Sequence, residues 1–385
     1  MASGGMRFLP YGRQEIDNTD IQAVVEALTS DWLTTGPRVG VFEKAFAEFC
    51  GVKEAVAVNS GTAALHAAMR ALGVGPGDEV IVPAITFAAS ANCAVYEGAT
   101  PVFADIEPDT LLVDAASVAS RITPRTKAIV AVDYAGQPAD YDALRQVIGG
   151  RDIGLVADAC HSPGATYKGR KAGTCADISC FSFHPVKHLT TCEGGMAVSD
   201  NVEYAAHMRR FRNHGIDSDA HKRETTGAFT YDMVELGYNY RIPDLLCALG
   251  MAQLSRLAQW VAKRQQIAEL YHQAFANHAF ARPLRVRDDR SHAYHLFVIR
   301  LDMTRLNINR AHAFAHLRSR GIGANVHYAP VYSLSFYRKR GYPQDACPAA
   351  KLAYEEILTI PMFPAMTATD VERVVAAVGE LVQLG

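Results

Sequence analysis

The chain predicts an α/β fold: a large domain built on a mostly parallel central sheet, followed by a smaller α+β domain. Three observations carry that expectation. Between residues 55 and 157, short apolar segments alternate with amphipathic helical ones, a rhythm that buries both faces of a parallel sheet. At 385 residues, 49% hydrophobic, the chain is long enough for two cores. Beyond about residue 255 the pattern changes, and a basic, Pro-containing passage near Arg282 to Arg290 introduces a new set of strands and helices.

The first helix follows from a cap signal and helical apolar spacing over residues 18 to 29, and a second runs from Val39 to Cys50 after the turn-like Thr34-Thr-Gly-Pro37. Ala55-Val-Ala-Val58 is a buried-strand pattern, Asn59-Ser-Gly-Thr62 a tight turn, and Ala63 to Leu72 a strong helix. Strand, Gly turn and helix start present free N–H groups and the positive end of a helix dipole, which suits an anion such as phosphate; alone, it reads equally as an ordinary capped βα connection. Strands at Val80-Ile-Val82, Pro101 to Ala104, Ala128 to Val132 and Gly154 to Ala157 then alternate with helices over 88–97, 115–121 and 141–147. Ligands of such sheets gather at the carboxyl ends of the strands, and Asp158 stands at one. Ala176 to Phe183 and Met196 to Ser199 are further strand-like runs, with Lys187 in the connection between them. Residues 213–230 are polar and irregular.

A long helix near 243–275 connects the expected domains, 6–255 and 256–385, the second holding a strand from His295 to Arg300, a helix from Arg310 to Arg320, a strand-like Ala324 to Tyr328 and two closing helices. Met1 to Met6 is set aside from fold reasoning.

A formal charge of −2 and a pI near 6.7 exclude the basic field of a nucleic-acid or membrane-surface protein. No apolar stretch approaches the roughly 20 residues of a membrane span. Eight scattered cysteines without a CxxC pair, and no signal-peptide pattern, point to a reduced, cytoplasmic protein with no metal site, acting on small molecules.

Lys187 alone reads as a solvated loop cation. The anion site at Gly61-Thr62, the carboxylate of Asp158 and Lys187 together are the three elements that pyridoxal 5′-phosphate (PLP) requires: donors for its phosphate, an ionised carboxylate for its pyridine nitrogen and an amine for its aldehyde.

The order of these elements resembles the fold-type I, aspartate-aminotransferase-like superfamily. The local motifs are similar to one branch, the DegT/DnrJ/EryC1/StrS nucleotide-sugar aminotransferases: Leu33-Thr-Thr-Gly-Pro37, Asn59-Ser-Gly-Thr62, Thr86-Phe87, Asp158-Ala-Cys-His161, Phe181-Ser-Phe183 with Lys187, Glu193-Gly-Gly195, Arg212-Asn-His-Gly215, Gly237-Tyr-Asn-Tyr-Arg241 and Val326-His-Tyr-Ala-Pro330. Each is short; their number and order, over nearly the whole chain, carry the resemblance. Val132-Asp-Tyr-Ala-Gly136, Phe181 to Lys187 and Val326-His-Tyr328 further resemble the branch that aminates C4 of a UDP-linked 4-keto-6-deoxy-N-acetylhexosamine in pseudaminic acid biosynthesis.

The resemblance implies roles. Lys187 would hold PLP as a Schiff base and then shuttle a proton, with Asp158 on the pyridine nitrogen, His161 near the ring's phenolic oxygen or that carboxylate, and Phe87 stacked on the ring. Gly61, Thr62 and Ser182 would bind the phosphate, completed by Asn239 from the second subunit of a homodimer with shared sites. Tyr11, His184, Arg241, His327 and Tyr328 would line the sugar-nucleotide pocket, and Glu193 would orient the lysine loop. The amino donor would be an amino acid, L-glutamate by resemblance. His188 departs from the Pro or Asn common at its position and is expected on the pocket wall or in solvent. Alternatives are another nucleotide-sugar aminotransferase of the same family, a dehydratase of that family, which the retained Lys187 opposes, and a non-catalytic PLP-binding regulator, which would carry a DNA-binding segment. Gly73-Val-Gly-Pro-Gly77 follows a helix, so it is no dinucleotide fingerprint.

Overall fold

The computed structural model describes residues 7–217 and 230–384; part of the polar stretch expected over 213–230 lies outside them. Among the described residues, seven strands form the central sheet: β1 (Glu54–Val58), β2 (Glu79–Pro83), β3 (Thr100–Ala104), β4 (Thr126–Val132), β5 (Gly154–Asp158), β6 (Ile178–Ser182) and β7 (Gly195–Ser199). Their order is β1-β7-β6-β5-β4-β2-β3. β7 runs antiparallel to both its neighbours, and every other pairing in the sheet is parallel.

The near-continuous apolar strands are explained by burial on both faces. Alternate residues Val56, Val80, Val130 and Val156 pack with the helix Gly61–Ala71 in one core, while Ala57, Ile81, Ile129 and Leu155 pack with Phe42, Phe46 and Trp260 in another. A third core surrounds a three-stranded antiparallel sheet of β8 (Ala281–Pro283), β9 (Phe297–Leu301) and β10 (Ile357–Ile360). β8 overlaps the start of the basic, Pro-containing passage near Arg282 to Arg290, and β10 lies between the closing helices Pro348–Glu356 and Ala368–Gly379. Ala324 to Tyr328 is not a strand; it makes one isolated bridge, Asn325 to Thr359.

The helical stretch expected over 243–275 is two helices, Asp244–Leu254 and Leu257–Phe275. The second links two cores: Leu257, Trp260 and Val261 pack under the large sheet, and Ile267, Tyr271 and Phe275 pack under the small one. The N-terminal segment also joins the small sheet's core, because Leu9 is buried there and pairs with residues 321 and 323 through backbone hydrogen bonds of 2.9 and 2.6 Å. That attachment brings Tyr11 to the boundary between the sheets. Among the described residues no helix is long and apolar enough to cross a membrane.

Candidate active site

The carboxyl ends of β2, β5 and β6 and the start of the helix Gly61–Ala71 open onto one cavity of about 530 Å3. Each element delivers a different chemistry.

Ser60 ends the β1 turn and caps the helix, its Oγ accepting from Ala63 N–H at 3.1 Å. A Cβ at residue 61 would stand 2.8 Å from Ser182 Cβ and 3.2 Å from Cys160 Sγ, so only glycine lets the helix start lie this close to β6. Gly61, Thr62 and Ser182 border the cavity together.

Asp158 closes β5 with 6% of its surface exposed. Ser90 Oγ donates to its Oδ2, and Cys160 N–H donates to Oδ1 at 3.3 Å. Since the Ser90 proton is used on Asp158, the 2.7 Å contact between Thr86 and Ser90 has the Thr86 hydroxyl as donor. The carboxylate is therefore oriented from two elements besides its own strand.

Lys187 lies in the β6–β7 connection, whose ends are tied by Phe183 N–H to Gly194 O at 2.9 Å and Thr191 N–H to Phe183 O at 3.0 Å. Its Nζ reaches the cavity, 3.5 Å from His295 Nε2. Burial pushes the amine below its usual pKa, with Cys160 and Asp158 pulling the other way.

Histidines crowd this wall. His161 and His295 rings lie 4.4 Å apart, and His188 and His295 rings 5.7 Å apart. Burial first, and nearby positive charge second, push all three well below the ordinary imidazole range. His188 is 3% exposed and bonds Ala293 O at 2.8 Å, so it faces neither solvent nor the cavity. Tyr328 OH is 3.3 Å from His161 Nε2, and burial raises its phenol pKa. His327 Nδ1 contacts Thr359 Oγ1 at 2.9 Å; its pKa is pushed down to about 3 by burial, with Lys187 adding to the effect. Tyr11 packs against it at a tilt of 52°, ring centroids 5.1 Å apart.

Tyr11, Phe87, His161, His184, Glu193, His327 and Tyr328 thus share the cavity with Gly61, Thr62, Asp158, Ser182 and Lys187. Asn239 and Arg241 do not. Asn239 is exposed and bridges Asn213, while Arg241 bonds Asn213 Oδ1 at 2.9 Å beside a separate basic depression with Arg209 and Arg212. Two participants escaped sequence reasoning. Ser90 follows Thr86 by four residues, a spacing that becomes a signal only once Asp158 is known to lie opposite; His295 was read as the first residue of a strand.

The donor set fits PLP. A bare helix start offers N–H groups, a buried and oriented carboxylate stands at a strand end, and an amine of lowered pKa shares their cavity, whose size suits a cofactor with part of a substrate.

The sequence pattern of the DegT/DnrJ/EryC1/StrS aminotransferase family matches residues 14–379. Among solved structures, Spr1654 from Streptococcus pneumoniae in its PMP form aligns with a TM-score of 0.91 at 32% identity, covering 98% of this chain and 99% of that one. Its PLP form aligns with a TM-score of 0.90 at 32% identity. Helicobacter pylori PseC, an aminotransferase involved in the biosynthesis of pseudoaminic acid, gives 0.89 at 30% identity, over 98% of this chain and 100% of that one. The sugar aminotransferase CalS13 from Micromonospora echinospora gives 0.88 at 27%, over 97% and 99%. With the family pattern spanning nearly its whole length and its fold matched throughout, the chain belongs to the DegT/DnrJ/EryC1/StrS family and is a PLP-dependent sugar aminotransferase.

Proposed function

We propose that this aminotransferase moves an amino group from an amino acid, L-glutamate, to the C4 keto group of a UDP-linked 4-keto-6-deoxy-N-acetylhexosamine, in pseudaminic acid or related amino-sugar biosynthesis. The observation that carries the reading of the site is the convergence of Gly61-Thr62, Asp158 and Lys187 on one cavity of about 530 Å3. The likeness to PseC at 30% identity supports the choice of sugar.

Bound PLP supplies an electron sink for the carbon that bears the amine. The chain's residues do the rest. Lys187 would hold the cofactor covalently through Nζ and, once released, would use that Nζ to take a proton from the amine-bearing carbon and deliver it to the carbon on the other side of the amine nitrogen. Burial favours its neutral form, so the proton is not retained. Asp158, fixed by Ser90 and the Cys160 N–H, would meet the pyridine nitrogen. Gly61, Thr62 and Ser182 would donate to the phosphate, and Phe87 would cover one face of the ring. Tyr11, His184, His327 and Tyr328 contact the sugar nucleotide.

Asn239, with Arg241 close by in the chain, serves the site of a partner subunit in a homodimer. The support is the run of exposed apolar side chains around them: Met233, Val234 and Leu236 are 59, 55 and 68% exposed in the single chain, a density of apolar surface that a second copy would cover.

The test has two arms. Reconstitution with PLP gives a visible-edge absorbance band that borohydride abolishes and fixes on Lys187, whereas a colourless Lys187→Ala protein retains no turnover; borohydride trapping on another lysine sinks the reading of the site. Incubation with glutamate and a panel of UDP-4-keto-sugars, with products read by mass and NMR, tests the substrate, and amination of only a non-acetylated or thymidine-linked sugar overturns that choice.

A further inference from the structure

His295 lies on no element of the large sheet, yet it is the side chain that meets the Lys187 amine, Nε2 to Nζ 3.5 Å. Its position is overdetermined by the backbone around it. Ala293 N–H donates to Gly136 O at 2.8 Å and Leu296 N–H to Ala135 O at 3.1 Å. Gly136 has φ +114°, and a Cβ there would come within 2.7 Å of Tyr294 N and 3.1 Å of His295 N. From the other side the buried guanidinium of Arg264 donates from Nη1 to Tyr294 O and Met362 O at 3.1 and 2.9 Å. No carboxylate pairs with Arg264 among the described residues.

This setting fixes the imidazole's charge. Burial disfavours a cation here, and the always-charged guanidinium of Arg264 nearby adds to the effect, so the ring is neutral and carries one N–H. The charged and titratable groups that couple to the amine are Asp158, Cys160 and His161 from the β5 end, His188 behind it in its own loop, His295, and His327 from the small sheet's loop. The Nδ1 of His295 is buried with no hydrogen-bond partner. A buried N–H left without an acceptor is the costlier orphan, which places the single proton on Nε2. An ammonium has no lone pair to receive it, whereas a neutral amine does.

We propose that His295 is a positioning residue for Lys187: its Nε2–H donates to the Lys187 Nζ lone pair and holds the amine in the neutral, nucleophilic form, aimed into the cavity. This rests on the reading of Lys187 as the cofactor lysine, but it is a statement about the apo protein. The neighbouring His188 follows the same rule, because its Nε2 contacts a carbonyl and must therefore carry the proton.

The experiment is competitive acylation of the apo full-length protein across pH, with Lys187 modification read by peptide mass spectrometry. His295→Phe removes the donor and raises the Lys187 titration midpoint by about one unit, making acylation roughly tenfold slower below it; His295→Gln, which retains an N–H near the Nε2 position, restores most of the shift. An unchanged or lowered midpoint in His295→Phe, or identical behaviour of the Phe and Gln proteins, overturns the proposal. Neutron diffraction of the wild-type apo protein tests it without any substitution: deuterium on Nε2 supports it and deuterium on Nδ1 overturns it. Failure of Lys187 to trap PLP with borohydride would instead overturn the reading of the site, and leaves the apo titration readable.

Discussion

Ser90 and Asp158 come from different elements, the first turn of the helix Ala89–Tyr96 and the end of β5, and meet through a 2.6 Å hydrogen bond. The carboxylate is thus aimed by a helix that follows another strand, and Thr86 supports the serine in turn. Ser90→Ala should leave the fold intact and remove one bond to a charged group, about 1.5 kcal/mol, or roughly tenfold in PLP affinity. Titration of the apo protein with PLP, followed by absorbance, measures it; an unchanged affinity would mean that Asp158 holds its orientation without the hydroxyl.

Gly61→Ala should be worse than its size suggests. The new methyl meets Ser182 Cβ at the end of β6 and the buried Cys160 Sγ in the turn after β5, and the helix start is itself pressed on Gly195, where a Cβ would lie 2.4 Å from Ser60 O. We expect about 1–3 kcal/mol of lost stability from overpacking, together with a loss of PLP affinity, because the displaced N–H groups are those offered to the phosphate. A melting curve and a PLP titration of the same preparation separate the two effects.

If Asn239 serves a partner's site, two inactive proteins should complement each other. In a heterodimer of Lys187→Ala and Asn239→Ala chains, one site pairs an intact Lys187 with an intact Asn239. Refolding an equal mixture should restore roughly a quarter of wild-type activity, half of one molecule in two. Absence of any recovery, with mixed dimers demonstrated by native mass spectrometry, would place Asn239 outside the partner's site.

The buried histidines predict acid sensitivity. His292 and His327 are each pushed down to about 3 by burial, whereas an unfolded chain returns them to about 6.5. Between those limits the unfolded state binds more protons, so stability is lost as pH falls below 6.5. His161, His188 and His295 act in the same direction. Asp133, pushed up to about 6 by burial, opposes them by a single proton. Each histidine costs on the order of 1 kcal/mol at pH 5.5 relative to pH 7.5. Denaturant unfolding at the two pH values should show the drop, and His292→Asn, which keeps an acceptor for the Tyr294 N–H, should reduce it by one histidine's share. A flat profile would show these rings to be hydrated.

The large sheet was legible because each strand is buried on both faces and so reads as an unbroken apolar run, and because the Gly turn before the helix Gly61–Ala71 is a local pattern. The reversal of β7 was not: Met196 to Ser199 has the same apolar character whichever way it runs, and direction is set by the pairing with β1 and β6. In the small sheet, β8 is three residues containing Pro283 and β10 is four, too short for periodicity to declare them. The side chains that meet in the cavity were largely named from local motifs. Ser90 and His295 were not, since their importance lies in contacts across 68 and 108 residues of chain.

The pairing of β6 with β7 has one more consequence. Because the two strands are antiparallel neighbours, the segment that carries Lys187 is a hairpin connection over residues 183–194, closed at its base by Phe183 and Gly194. In the proposed function the amine, once detached, remains on a leash no longer than its own four methylenes. Its local concentration at the reacting carbon is then fixed by the hairpin rather than by diffusion, so the proton transfer and the recapture of the cofactor draw on the same intramolecular advantage.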